Sequence, residues 1–448
     1  MTSWIASWRK IITISVGIAL TLTGQALFAM SLGDAYELAR QHHAQWRLAQ
    51  ARLRDAQELL PLAKGQLLPQ ISLNIAKSSV QQQLTTNSVT APRQSYPLDS
   101  RTLSLRQSLI RLRQLRGVDR ADAQIAQATQ ELYNEEQQLV VRVTSAYLDV
   151  LLALDRRRLI DSQLTLVSNR LAAAELGLRA GQGTRNDVDD AKAELDRIKA
   201  QSIQTNQAIQ IARRQIELLT GKVPGSLDSL DLSAFRPDRL DIPSLQEAVQ
   251  VALMHNPQLL AASHGELAAQ HTLRQAEADH LPTLDLVAQL SKSTGENNFF
   301  AATTTSSAVV GVQLSVPIYT GGVISAQARQ AATKVAQASE SLQQITNKVR
   351  IDVQTQHDAV VQGRALIEAL KTAVSSSAEA VKSSRKGQTA GVRTVLDVLR
   401  SESLRFQAEI DLAQARYSYV LSWVKLQTIM QPLEAETIHR ITALFKPN

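Results

Sequence analysis

The feature that most constrains this chain is that it is written twice. Ser31-Leu32 opens GDAYELARQHHAQW, and Ser244-Leu245 opens QEAVQVALMHNPQL, 213 residues further on (31 to 244). Leu68-Pro69 recurs as Leu281-Pro282 at the same offset (69 to 282). Later, Gly181-Gln182-Gly183-Thr184-Arg185-Asn186-Asp187 recurs as Gly391-Val392-Arg393-Thr394-Val395-Leu396-Asp397, offset by 210 (181 to 391). A register held over that span indicates one structural unit duplicated.

Each half reads in the same order: a helix, two strands, a very long helix and a shorter one. Apolar and small residues recur at 3-4 spacing through Val188, Ala191, Leu195, Ile198, Ser202, Thr205, Ile209, Ala212, Ile216 and Leu219. The second half repeats this with Leu396, Leu399, Ser403, Phe406, Ile410, Ala413, Tyr417, Val420, Val424 and Gln427. Such seams pack helices side by side as coiled coils. The segments 113–179 and 322–388 contain no proline. At 1.5 Å per residue each predicts a helix of roughly 100 Å.

Four stretches have period two instead. They are predicted as strands at about 69–80, 101–110, 282–292 and 307–318. Ile71, Leu73 and Ile75 alternate with Ser72 and Asn74, and Leu284, Leu286, Ala288 and Leu290 lie along one face of the third. The polar stretches 81–97 and 291–305 between them are expected as loops. About ten residues, apolar on one face, is the pattern of an outer-membrane barrel strand. Four strands cannot close a membrane barrel, and open edges do not survive in lipid. Three copies would supply twelve strands, an even number, in a cyclic arrangement. A small soluble sandwich would need covering strands that the sequence lacks.

Composition agrees with long helices: aromatic residues are 4%, with 18 Gly and 12 Pro. With no cysteine, disulfides, zinc–thiolate sites, thiol nucleophiles and an N-terminal lipidated Cys are excluded. Arg9 and Lys10 precede the apolar stretch 11–22, as in a secretory signal. Cleavage is expected after Ala29, with Ala26 as the alternative; the stretch is short for a spanning anchor. Removing Arg9 and Lys10 takes the formal charge from +7 to +5, a balance that does not call for nucleic acid. Beyond residue 30 no run of 18 apolar residues predicts a membrane helix. His42-His43 diverge on a helix and His264/His271 do not form H-E-x-x-H; no P-loop, nucleophile elbow or dinucleotide fingerprint is present. No enzyme activity, metal or cofactor is expected. A periplasmic adaptor would carry Gly-rich β domains around one hairpin, and a secreted coiled-coil protein would lack the strands.

HLPTLDL at 280–286, SVPIYTGG at 315–322, AGVRTVLDVL at 390–399 and LAQARYSYV at 412–420 occur in order. On these the chain resembles the TolC family of outer-membrane efflux proteins over essentially the whole mature sequence. The resemblance implies a mainly α protein with a membrane β-barrel. Its homotrimer would form a twelve-stranded barrel continuing into a helical tunnel through the periplasm. It implies a signal peptide (1–29), a first repeat (30–221), an equatorial segment (222–243), a second repeat (244–430) and an equatorial tail (431–448). The implied function is a passive duct of a tripartite efflux pump or type I secretion system. Its partners would be a periplasmic adaptor and an inner-membrane RND, ABC or MFS pump, and its surroundings the outer-membrane lipid.

Carried over position by position, the resemblance makes Asp187 and Arg393 a linked pair closing a periplasmic gate. Asn186 stands where Thr is common, and Gln388 where a Tyr latch is known. An exposed link of this kind is weak, roughly 0–1 kcal/mol, as suits a closure opened by a partner; the alternative is that both residues only cap helices. Asp397 matches an acidic ring of the lumen, but the second ring position is Arg400, three residues on, where the two could pair. Gly181, Gln182, Gly391 and Val392 match adaptor-docking grooves, though the glycines equally suit a tight helix-to-helix turn.

Overall fold

The computed structural model describes residues 30–446, apart from 84, 87–88, 231–234, 236, 238–239, 241, 298–299 and 433–440. The expected signal peptide and part of the expected C-terminal equatorial tail lie outside the described residues.

The first repeat opens with three helices, α1 (Leu32–His42), α2 (Ala44–Gln57) and α3 (Leu59–Gly65), where one was predicted. Ser31 and Asp34 form a capping box that starts α1, and extended backbone at His43 ends it. Strands β1 (Gln70–Gln82) and β4 (Gln94–Ile110) follow, separated by the two-residue pair β2 (Thr85–Thr86) and β3 (Val89–Thr90). Helix α4 (Leu112–Arg179) has 68 residues and α5 (Arg185–Thr220) has 36. After the short β5 (Ser229–Leu230), the second repeat begins with α6 (Leu245–His255) and α7 (Pro257–Glu277). The break between them is the Asn256 cap, which accepts from the Leu259 amide, with Pro257 at the first helical position. Strands β6 (Thr283–Asn297) and β7 (Phe300–Ser315) lead to α8 (Val323–Thr389), of 67 residues, and α9 (Val395–Met430), of 36. A last strand, β8 (Phe445–Lys446), pairs with β5.

The long strands form one antiparallel sheet in the order β1-β4-β6-β7. They extend further into the polar stretches than predicted, so 81–97 and 291–305 are only partly loops. Hydroxyl pairs across the strands account for this: Ser79 with Ser95 at 3.2 Å and Thr294 with Thr304 at 3.1 Å. At the other end β7 stops at Ser315, before Pro317, which cannot continue the ladder. One face of the sheet is polar, with Ser72 bonded to Ser104 and Ser291 to Ser307. The other exposes Ile71, Leu73, Ile75, Leu290, Val310, Val312 and Leu314. Where the sheet meets the helices, Asp285 on β6 is 4% exposed and receives Arg106 and Arg111, each with a contact at 2.6 Å. This ties strand to helix.

The main core lies midway along the helices. Tyr147 and Tyr419 are its largest fully buried side chains. Tyr147 donates to the carbonyls of Met30 (2.9 Å) and Asp228 (3.0 Å), with its ring edge-on to Phe445. Tyr419 donates to the Pro237 carbonyl at 2.9 Å. The inter-repeat segment and the chain end are thus pinned to α4 and α9. Helix α4 contains an apolar 18-residue window, 67% of it buried within the fold, which marks a core helix. A smaller apolar cluster of Ile160, Val167, Ile198 and Leu399 holds α4, α5 and α9 together nearer the helix tips.

Candidate functional site: the helix tips

The sheet is at one end of the long helices and the tight α4–α5 and α8–α9 turns are at the other. Both turns are built alike. The Gln182 and Gly183 amides donate to the Gly177 carbonyl, at 2.9 and 3.1 Å; those of Val392 and Arg393 donate to Gly387, at 2.9 and 3.2 Å. Gly181 and Gly391 take φ of 70° and 76°, a left-handed conformation that glycine adopts without a Cβ penalty. Their Cβ positions face open space, so the backbone rather than crowding demands glycine. Gly181, Gln182, Gly391 and Val392 are all exposed.

Each turn ends in a capping box. Asp187 Oδ2 accepts from the Thr184 amide (3.0 Å) and hydroxyl (2.7 Å), while the Asp187 amide donates to Thr184 Oγ1. Asp397 Oδ2 does the same with Thr394, at 2.9 and 2.8 Å. The Thr394 amide and hydroxyl, and more weakly the charges of Arg393 and Arg400, hold the Asp397 carboxyl below its ordinary range. Asp397 and Arg400 make no ion pair within the protomer, because the Asp397 carboxylate turns back to its cap; Arg400 is exposed.

Within one protomer Asp187 and Arg393 are not joined. Arg393 Nη1 donates to Ser384 Oγ at 3.3 Å, and Ser384 Oγ is 2.8 Å from Ser401 Oγ. Asn186 is exposed. Gln388 Oε1 accepts a long contact from Arg170 Nη1, at 3.5 Å.

Arg170 belongs to a cluster that sequence reading passed over. Glu402 on α9 is 2% exposed. It accepts a forked contact from Arg170 on α4, Nε to Oε2 at 3.1 Å and Nη2 to Oε1 at 2.7 Å. Arg385 on α8 adds Nε and Nη2 contacts to Oε1, at 3.1 and 2.8 Å. One carboxylate therefore ties three helices by charge-assisted bonds. A signal did exist: Glu402 lies three residues after Leu399 and four before Phe406, on the buried stripe of α9.

The outer membrane efflux protein family model matches residues 35–222 and 248–430, one match for each repeat. The chain belongs to that family. It is 29% identical to the proteases secretion protein PrtF of Dickeya chrysanthemi, across 98% of this chain and 96% of that protein. It is also 29% identical to the alkaline protease secretion protein AprF of Pseudomonas aeruginosa, covering 98% and 92%. To the outer membrane protein TolC of Vibrio cholerae it is 27% identical, covering 98% and 99%. The outer-membrane channel OprN has the same fold, with a TM-score of 0.78, 22% identity and 90% of each chain covered. As a member of the efflux protein family, the chain is an outer-membrane channel-tunnel of efflux or secretion, with its tunnel on the periplasmic side.

Proposed function

We propose that three copies close a twelve-stranded barrel and that their helices form one coiled-coil tunnel. The observation that carries this is the sheet itself. Among the described residues of one protomer its edge strands β1 and β7 are unpaired on their outer sides, and its apolar face is uncovered. In lipid every such edge must be satisfied, which closure with other copies achieves. The duct is passive and performs no catalysis. It works with a periplasmic adaptor and an inner-membrane RND, ABC or MFS pump. Similarity to PrtF and AprF favours polypeptide export as in type I secretion, where an ABC pump supplies the energy. Adaptor contacts fall on Gly181, Gln182, Gly391 and Val392.

The gate is the set of tips. Asp187 of one protomer meets Arg393 of the next, with Asn186 and Gln388 beside them, and Asp397 with Arg400 lines the constriction. The second oxygen of Asp187, which the Thr184 bonds leave unused, and the long Arg393 side chain leave this link open to a partner. Because the chain has no cysteine, the closure is directly testable. Asn74→Cys on β1 combined with single cysteines scanned along β7 should cross-link into covalent trimers. Only monomers and dimers, from a folded membrane sample, would sink the reading. In planar bilayers the wild type should conduct poorly, and conduct more with Asp187→Ala or Arg393→Ala.

A further inference from the structure

The apolar face of the sheet changes character within a single step of the register. One cross-strand row reads Leu73, Leu103, Leu290 and Ala308; the next, toward the β6–β7 hairpin, reads Ile75, Arg101, Lys292 and Ser306. Arg101 and Lys292 are direct cross-strand neighbours. Like charges placed opposite each other destabilise a sheet, and here both are exposed and neither has an anionic partner among the described residues. The nearest acid along the face, Asp99, is turned to Lys77 at 3.9 Å. A depression of about 370 Å³ opens at this step, with Leu73, Leu103 and Leu290 on its apolar side and Arg101, Lys292 and Ser306 on its polar side.

We propose that this depression binds a phosphorylated, acylated lipid of the outer leaflet. The phosphate would sit between Arg101 and Lys292 and the acyl chains would lie along Leu73, Leu103 and Leu290. The proposal rests on the trimeric barrel reading, in which this face meets lipid. Depth agrees with it. The helices leave the sheet at the opposite end, so the Arg101–Lys292 row faces the exterior. From Leu284 to Lys292 a tilted strand climbs roughly 20 Å along the membrane normal, close to the height of a barrel's apolar band. The two charges therefore fall at the outer interface, where an anionic headgroup relieves their repulsion and an apolar flank takes the chains.

The test is lipid retention by the purified folded protein, read by native mass spectrometry. The probe is lipid A, a bisphosphorylated and acylated glucosamine disaccharide. The wild-type trimer should keep it. The double variant Arg101→Gln with Lys292→Gln should bind it roughly thirtyfold more weakly, since each basic residue at an anionic lipid surface contributes about fivefold. Dephosphorylated lipid A should bind the wild type with a similar loss, and millimolar inorganic phosphate should leave lipid A in place. Unchanged binding by the double variant would overturn the site. So would equal binding of the dephosphorylated lipid, which would mean an apolar belt alone, or displacement by inorganic phosphate, which would mean a simple anion site. A trimer that binds no lipid A refutes this proposal alone. A folded chain that gives no β1–β7 cross-linked trimer refutes the barrel reading and this proposal with it.

Discussion

The two helix tips share a backbone and differ in what they hang on it. Gly181 and Gly391, Thr184 and Thr394, and Asp187 and Asp397 match in geometry as well as in sequence. Beyond that frame they diverge. Ala174, Gly183, Ala191 and Lys192 of the first tip stand where the second has Ser384, Arg393, Ser401 and Glu402. A Cβ on Gly183 would come 3.2 Å from the Gly177 backbone, so the first turn closes on itself. In the second, Gly387 instead makes room for the Arg393 side chain, 3.0 Å from where its own Cβ would lie. Duplication has kept the turn and made one copy small and the other polar. The second tip is the one wired into a neighbouring helix pair, through Arg170 of α4.

The largest expected effect breaks that wiring. Glu402→Gln leaves Arg170 and Arg385 facing each other without their carboxylate, and should cost about 3 kcal/mol, since removing one partner strands a buried charge. Hydrogen exchange should report it as amides of α9 from 395 to 405 exchanging roughly a hundredfold faster, while α5 from 185 to 195 stays protected. Lys192→Gln at the matching, exposed position should shift nothing beyond about 0.5 kcal/mol. Equal losses at both tips would remove the asymmetry. Gly183→Ala comes next, at about 1 kcal/mol, because its Cβ would lie 3.2 Å from the Gly177 backbone, which must shift by a few tenths of an ångström to admit it. Gly387→Ala should cost less, since the flexible Arg393 stem can give way. Thermal melts of the two variants rank them directly.

How much of this was legible in the sequence depends on which physics is periodic. The duplication, the long helices and the alternating strands leave repeating marks, and so the mostly helical, channel-like architecture could be read before any coordinates. The capping boxes at Thr184/Asp187 and Thr394/Asp397 are also local patterns, four residues wide. What was missed is not local. Arg170 and Glu402 are 232 residues apart, and nothing in either neighbourhood names the other. The strand ends were misjudged for a related reason: Ser and Thr stretches look like loops until a partner strand aligns their hydroxyls. The Asn256-Pro257 break in the opening helix of the second repeat was visible but passed over, because the apolar spacing continues across it.

Acid should weaken the cap of the second tip, by a smaller amount. The folded-state Asp397 carboxyl titrates below its ordinary value because its Thr394 cap favours the charged form. As pH falls through the ordinary carboxylate range near 4, the unfolded tip takes up the proton first. The cap's contribution is therefore complete above that range and is lost as pH drops toward the depressed folded value. Exchange of the Thr394 and Asp397 amides, the two that the box holds, measured from pH 5 down to 2 and corrected for intrinsic rates, should show this loss in the wild type. Asp397→Asn should flatten the profile. A profile equally steep in the variant would place the acid sensitivity elsewhere.

The smallest energetic effect is the most informative about gating. Arg393→Ala should change the stability of the tip by no more than about 1 kcal/mol, because the side chain is exposed and its Ser384 contact is long. Its effect on conductance should nonetheless be clear if Arg393 reaches Asp187 of a neighbour. Asp187 itself has two jobs that one substitution can part. Asp187→Asn keeps an oxygen able to accept from the Thr184 amide and hydroxyl, so the capping box survives, but it removes the charge that Arg393 would meet. A gate link predicts raised conductance in Asp187→Asn with unchanged melting. A pure cap predicts unchanged conductance in Asp187→Asn, and in Asp187→Ala a stability loss near 1 kcal/mol with no selective gain for Arg393→Ala. Arg400→Asp sharpens the comparison at its last polar difference. The second tip would then carry two acidic positions, and reversal potentials in a salt gradient should move toward cation preference. No movement would mean that Arg400 faces away from the conducting path, leaving Asp397 as the only charge of the pair able to act on it.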